Sequence, residues 1–514
     1  MRWSHFPFMK RSLAGLEIRR EVSEVGHRMG RQIAAEVRLL IMLENPLVSS
    51  CLLCTLCVVM ILGRRGIWTS YISPFVVFPS LYLLSLGLPS LFYALGFGGD
   101  DQLLKPDYIP SVNHYVSWLL ITFYLGYILA EYAIRARASK KNQRGVVEHS
   151  GRNEACHEGT GALPPFVGET SCNLVFLLSV GALIVGVLTM GWGETWEGSM
   201  IRGTGQWEAH HFQDYVILIV QACLINSTIT AGVIRAWFPA RRLWMAPVAW
   251  CLFMAPGGSR GSVIPFALFL TTSVVAGRKT SVMKMAGVAL LTLLSVMYIG
   301  LVRPRYVGLS DFVESLGNGS EALAAASDPL NAVTSLDTTT ATFWVGRDIV
   351  QRDGWAQLGR ILSPVPSFII EQDIAATNLV AYTGHVGGNQ GNPFPVLGEM
   401  YLFFGWAGVL LGFIGGFIMA VVFEKSRSVR PDAYPFALFW PSLYSSCVLG
   451  GIMSLHSGLR TTTRLPLWMI IWYFCFTAAV TVLREPLLEH KNSLSFNFAP
   501  RSGIGNVVSH RRFS

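Results

Sequence analysis

Charge is what this sequence has least of. Only 14% of its residues are Asp, Glu, Lys or Arg, 52% are hydrophobic, and mean hydropathy is +0.44. That balance excludes an ordinary water-solvated globular domain, and it excludes a disordered chain, which needs high charge and low hydrophobicity. Period-2 alternation does not dominate the apolar runs, which argues against an outer-membrane barrel. Cysteines number nine and sit mostly inside apolar runs, so no disulfide framework is indicated. No short secretory signal is visible, because the first apolar run begins near Pro46. What remains is an all-α, polytopic membrane protein, since only helices and closed barrels satisfy their backbone groups in lipid.

The apolar runs predict about 11 crossings, in a range of about 10–12. Residues 1–45 form a basic N-terminal segment. Ile18, Val22, Val25, Met29, Ile33, Val37 and Leu40 are spaced as one helix face, among Arg19, Arg20, Arg28, Arg31 and Arg38. Such a helix suits an anionic membrane surface; a solvated charged tail is the alternative. The first crossings occupy 46–137, near 46–63, 71–97 and 115–137. A flexible, polar linker follows over 138–172, opening with Lys140, Lys141 and Arg144. Central crossings fill 173–302, a large loop runs from 303 to 395, further crossings fill 396–485, and 486–514 is a basic tail. The net charge of +9 fits positive-inside loops and not a nucleic-acid partner. Taking the linker as cytoplasmic puts 192–213, 303–395 and 455–464 outside. It also puts the Arg-rich residues 1–45 outside, against the same rule.

The central crossings contain a broken pair at 243–277. Leu243 to Ala255 is apolar but too short to span, and Pro256-Gly257-Gly258-Ser259-Arg260-Gly261 interrupts it before Ser262 to Gly277 returns. Arg260 stands at the expected helix N-terminus, where free N–H groups and the helix dipole favour phosphate. A structural Arg paired with an acid is the alternative. The next crossing ends in Arg303-Pro304-Arg305-Tyr306, two cations suited to an anionic substrate or to interfacial anchoring. The large loop predicts helices at 320–327 and 348–361. It ends in a Gly-rich stretch with His385, Gln390 and Asn392. His385 can act as a general base, and Gln390 and Asn392 can bond sugar hydroxyls. Val396 to Phe423 reads as one continuous span with a lone carboxylate, Glu399, near its start. Arg460 adds a cation at the last outer loop.

Two metal readings are weaker. Cys51, Cys54 and Cys57 recur every third residue but fit small residues in a membrane helix, and the acids and histidines of 192–213 match no metal-ligand spacing. Cys156 and Cys172 fall in the linker, where a cytoplasmic disulfide is not expected. No metal or other cofactor is expected. Cations with a nearby base suit a lipid pyrophosphate donor and a hydroxyl acceptor, the arginines neutralising the leaving group.

Pro395-Val396-Leu397-Gly398-Glu399-Met400-Tyr401, followed by Phe404-Gly405 and Gly408, resembles the signature of bacterial oligosaccharide repeat-unit polymerases, the Wzy-type O-antigen polymerases. The Ser259-Arg260-Gly261 turn and Pro364 and Pro366 are similar too. The resemblance covers roughly 240–425. It implies a GT-C-like glycosyltransferase of the bacterial inner membrane, acting on undecaprenyl-pyrophosphate-linked repeat units at the periplasmic face with a chain-length-regulating co-polymerase. It implies catalytic roles for Arg260 and Glu399, with His385 matching only in general place. Arg303, Arg305, Gln390, Asn392, Tyr401 and Arg460 would line the substrate site. An O-antigen ligase, a flippase for the same lipid-linked sugar, and a scaffold for polysaccharide assembly are the competing expectations. The 396–408 signature favours the polymerase over the ligase.

Overall fold

The computed structural model describes residues 44–62, 73–97, 104–148, 165–190, 211–254, 264–277, 336–349, 395–428, 434–454 and 459–496, with scattered positions between 283 and 294. Among them every regular element is a helix. In chain order these are α1 (Pro46–Leu62), α2 (Pro74–Ala94, with a π turn at Leu83–Gly87) and α3 (Ile109–Glu148, entered through a 3-10 turn at Pro106–Tyr108). Then come α4 (Pro165–Met190), α5 (His211–Trp237), α6 (Met245–Met254) and α7 (Ile264–Val275). After these lie α8 (Leu336–Trp344, continued by a π turn at Val345–Ile349), α9 (Val396–Phe404), α10 (Val409–Ser428), α11 (Phe436–Met453) and α12 (Leu459–Phe496). Seven helical segments among the described residues are long and apolar enough to cross a membrane, and α1 and α7 are shorter apolar helices. Large apolar side chains point outward from them, including Leu188, Leu410, Phe474 and Val482. That surface is untenable in water and ordinary in lipid, so the chain is a multi-pass helical membrane protein.

Lipid removes the hydrophobic drive between helices, so contact must come from close packing and hydrogen bonds. The tightest pair, α3 and α10, shows how. Gly408, Gly412 and Gly416 recur every fourth residue and meet Tyr115, Leu119 and Phe123, also every fourth residue. The two helices therefore run parallel. A β-carbon at Gly412 would stand 2.8 Å from the Leu119 carbonyl oxygen, and one at Gly416 would overlap the Phe123 carbonyl. Thr122 Oγ1 donates to the Val409 carbonyl at 2.8 Å. On the other flank of α3, Asn113 Nδ2 donates to Ser49 Oγ and Ser50 Oγ of α1, at 3.2 and 3.1 Å.

A second layer surrounds α5. Ser273 Oγ of α7 donates to the Gly232 carbonyl at 2.8 Å, and Trp472 Nε1 of α12 donates to Thr230 Oγ1 at 3.0 Å. Arg235 lies against the rings of Trp244 and Phe269, 4.4 and 5.0 Å from their centroids. These contacts sort the helix ends into two faces. One carries the cations Arg135, Arg137, Arg235, Arg241, Arg242, Lys425 and Arg427 against the acids Glu131, Glu169 and Glu424, an excess of positive charge. The other carries Glu44, Lys105, Asp107, Asp337, Arg347, Glu399 and Arg464, cations and acids in near balance. Pro46 enters on this second face, because α1 and α3 start side by side.

Several expectations change. The stretch 396–423 is not one helix. Gly405 adopts φ 54° and ψ −141°, and a 3-10 turn over Gly405–Gly408 separates α9 from α10. That backbone region is open to glycine and strained for other residues. The polar linker is narrower than 138–172, because α3 continues to Glu148 and α4 begins at Pro165. Cys172 is accordingly a buried residue of α4. A helix stands at 336–349; the helices expected at 320–327 and 348–361 lie outside the described residues but for 348–349, which close its π turn. The amphipathic segment at 16–40 lies outside them as well.

Candidate functional site

The site forms where α8, α9 and the first turns of α3 meet. α9 is apolar apart from Glu399, and every residue of it except Tyr401 is buried. Such a helix belongs inside a bundle. Its first backbone donor, the Val396 N–H, donates to the Ser454 carbonyl at 3.1 Å, tying α9 to the end of α11. Thr462 of α12 packs against Gly450 of α11, so α12 starts at the same place.

Glu399 sits on the first turn of α9 and is 4% exposed. Glu399 has an interaction partner in the fold. The helix N-terminus favours a negative charge at this position. Immediately before it, Gly398 has no side chain, and Thr342 of α8 fills that space: an added β-carbon would be 2.6 Å from Thr342 Cβ. α8 thus lies directly on the turn that bears the carboxylate. Thr339, Thr340 and Thr342 are fully buried there. Thr342 Oγ1 donates to the Thr338 carbonyl at 2.6 Å, and Thr340 Oγ1 to the Asp337 carbonyl at 2.9 Å.

Aromatic rings close the other side. Tyr401 stacks flat on Phe343, with centroids 4.1 Å apart and planes 7° apart. Tyr115 of α3 meets both edge-on, at 5.3 Å from Phe343 and 5.6 Å from Tyr401. Tyr115 is fully buried and its hydroxyl abuts Gly408. Each such ring pair is worth about 0.5–1.5 kcal/mol beyond area burial. The expected substrate-contacting role for Tyr401 thus meets a half-buried ring already packed between two others.

Of the residues singled out from sequence, the structure brings Glu399 and Tyr401 together on α9. Arg460 lies on the first turn of α12, where only its backbone is described. Arg260, Arg303, Arg305, His385, Gln390 and Asn392 lie outside the described residues. Sequence reasoning missed α8, Lys105, Tyr108, Tyr115 and Arg347. The faint signal for α8 was its run of buried threonines beside Phe343 and Trp344. Threonine has low helix propensity, so that run argued against a helix until packing overrode it.

The break at 255–263 is bracketed by α6 and α7, which end and begin on the Glu399 face. Phe253 near the tip of α6 packs on Gly186, at the level of Val220, and Gln221 Nε2 reaches Met254 Sδ at 3.9 Å. α5 continues beyond that level to His211. Residues 255–263 between α6 and α7 lie outside the described residues. No group of three or more His, Cys, Asp or Glu side chains able to hold a metal occurs among the described residues. No family model, no curated protein and no solved structure matches this chain.

Proposed function

We propose that the protein is a membrane glycosyltransferase that polymerises undecaprenyl-pyrophosphate-linked oligosaccharide repeat units, as an O-antigen or exopolysaccharide polymerase. The observation that carries this reading is Glu399: a carboxylate 4% exposed, in an apolar helix at a backbone break, covered by α8. An acid so placed is costly, which makes it a functional candidate by default. The second support is charge. The face opposite Glu399 carries the excess of cations, and the positive-inside rule makes that face cytoplasmic. Glu399 then faces the periplasm of a bacterial inner membrane, where lipid-linked units are joined, in a GT-C-like bundle.

In this mechanism Arg260, Arg303 and Arg305 neutralise the lipid pyrophosphate as it departs. A hydroxyl oxygen of the acceptor unit attacks the anomeric carbon, and the bond from that carbon to the pyrophosphate oxygen breaks. Glu399 or His385 takes the hydroxyl proton. Gln390, Asn392 and Arg460 orient the sugars, Tyr401 holds α9 against α8, and a co-polymerase regulates chain length. No metal is needed where arginines carry the leaving group's charge. A flippase for the same substrate is the second reading, and the Pro256 to Gly261 interruption in the sequence between α6 and α7 favours it, because a discontinuous membrane segment also suits alternating access.

Glu399→Gln keeps the size of the side chain and removes its charge. Polymer in cells producing this variant should fall by about 100-fold or more, the usual scale of a lost general base or buried charge. Immunoblotting of membranes should show normal protein. Normal polymer with normal protein would overturn the role of Glu399.

A further inference from the structure

Two cations on the Glu399 face are held in an unusual way. Lys105 is the last residue before the span Pro106–Arg137, and its Nζ lies 4.9 Å from the centroid of Trp344. Arg347 is exposed, and its guanidinium lies 5.9 Å from the centroid of Tyr108. The contacts cross: each segment supplies one cation and one ring, three residues apart. Residues at this spacing eclipse one another in a 3-10 turn and share a face in a helix. The Lys105 N–H also donates to Thr340 Oγ1 at 3.2 Å, fixing the two segments together.

Among the described residues neither cation forms an ion pair. Asp107 is exposed between Lys105 and Tyr108 and makes no ion pair with Lys105 or Arg347. A ring face orients a cation without neutralising it. Two positive charges therefore stand on two segments fastened together, about one turn apart, next to the start of the apolar span Pro106–Arg137 and each against an amphipathic ring. The chemistry that answers them is an anion carried by a molecule whose body is in the membrane.

We propose that this clasp, Lys105–Trp344 with Arg347–Tyr108, is a binding site for the phosphate group of a lipid. Arg347 offers paired N–H donors to two phosphate oxygens, and Lys105 adds a point charge. The phosphate has two sources, an anionic phospholipid headgroup or a polyprenyl pyrophosphate, and the site stands whether or not the protein is a polymerase.

The test uses the full chain in phosphatidylcholine nanodiscs. Photoactivatable phosphatidylglycerol or photoactivatable polyprenyl pyrophosphate is added, and adducts are mapped by peptide mass spectrometry. Adducts within 104–108 and 344–347 of the unaltered protein are expected. Adducts confined elsewhere with both probes would overturn the site. The double variant Lys105→Gln, Arg347→Gln keeps the backbone bond to Thr340. Each lost cation should weaken binding about fivefold, from roughly 1 kcal/mol per charge near the surface. Weaker phosphatidylglycerol binding alone identifies a headgroup site, and weaker pyrophosphate binding alone identifies a substrate subsite. Unchanged affinity for both, in a variant with an unchanged melting temperature, would contradict the proposal. If the variant does not fold, the adduct map of the unaltered protein decides.

Discussion

Two interrupted membrane segments in this protein follow opposite plans. In Val396–Ser428 the interruption at Gly405 leaves α10 with 20 residues. At 1.5 Å per residue that is roughly 30 Å, of which the apolar part, 409–423, covers roughly 22 Å. α9 adds buried apolar helix at the Glu399 face and holds Glu399 under α8. In the 241–277 segment the sequence itself interrupts the apolar run, with Pro256 to Gly261 between α6 and α7. The described parts of α6 and α7 have 10 and 12 residues, roughly 15 and 18 Å. The first interruption is a glycine turn inside an apolar run, and the second is a stretch of Pro and Gly with a cation. A buried acid goes with α9, and Ser259-Arg260-Gly261 goes with the second interruption. This division suits a reaction that needs a base on one side and anion stabilisation on the other.

The largest expected effect breaks the second plan. Arg260→Ala should reduce polymer to background while membranes retain the protein, read on a polysaccharide gel beside an immunoblot. Normal polymer length and amount would remove the pyrophosphate role from that turn. The next effect tests whether α10 is held close against α3. Gly416→Ala drives a methyl into the Phe123 carbonyl and should cost at the upper end of roughly 1–3 kcal/mol. Gly415, one residue earlier, has nothing within 4 Å of an added β-carbon. Gly415→Ala should be neutral or stabilise by up to about 1 kcal/mol. Thermal unfolding of the two purified variants compares them directly, and equal melting temperatures would contradict the parallel packing. The smallest effect concerns the break itself. Gly405→Ala at φ 54° should cost about 1–2 kcal/mol and lower the melting temperature. An unchanged melting temperature would mean that α9 and α10 can join without strain.

Much of this was legible in advance, and the rest was hidden for physical reasons. Hydropathy identifies the membrane class and most helices, because lipid imposes one rule on every span. Glu399 stands out because a carboxylate is rare in such a run. The break at Gly405 does not stand out, because apolarity carries no information on backbone dihedrals and the run stays apolar through it. The Gly408, Gly412 and Gly416 spacing was readable as a packing stripe. It also gives part of the polymerase-like signature a structural cause, since Gly408 meets Tyr115. α8 was hidden by its threonines, and Lys105 and Arg347 by their partners. Those partners are distant in sequence, so only the folded chain pairs each cation with a ring.

The most direct test of the central claim uses purified protein in liposomes supplied with a lipid-linked repeat unit, with products resolved on a gel. The account predicts a ladder of multiples on the lipid carrier. Movement of intact substrate across the bilayer without a ladder would contradict it and make the protein a transporter. No change at all until a lipid core acceptor is added would make it a ligase.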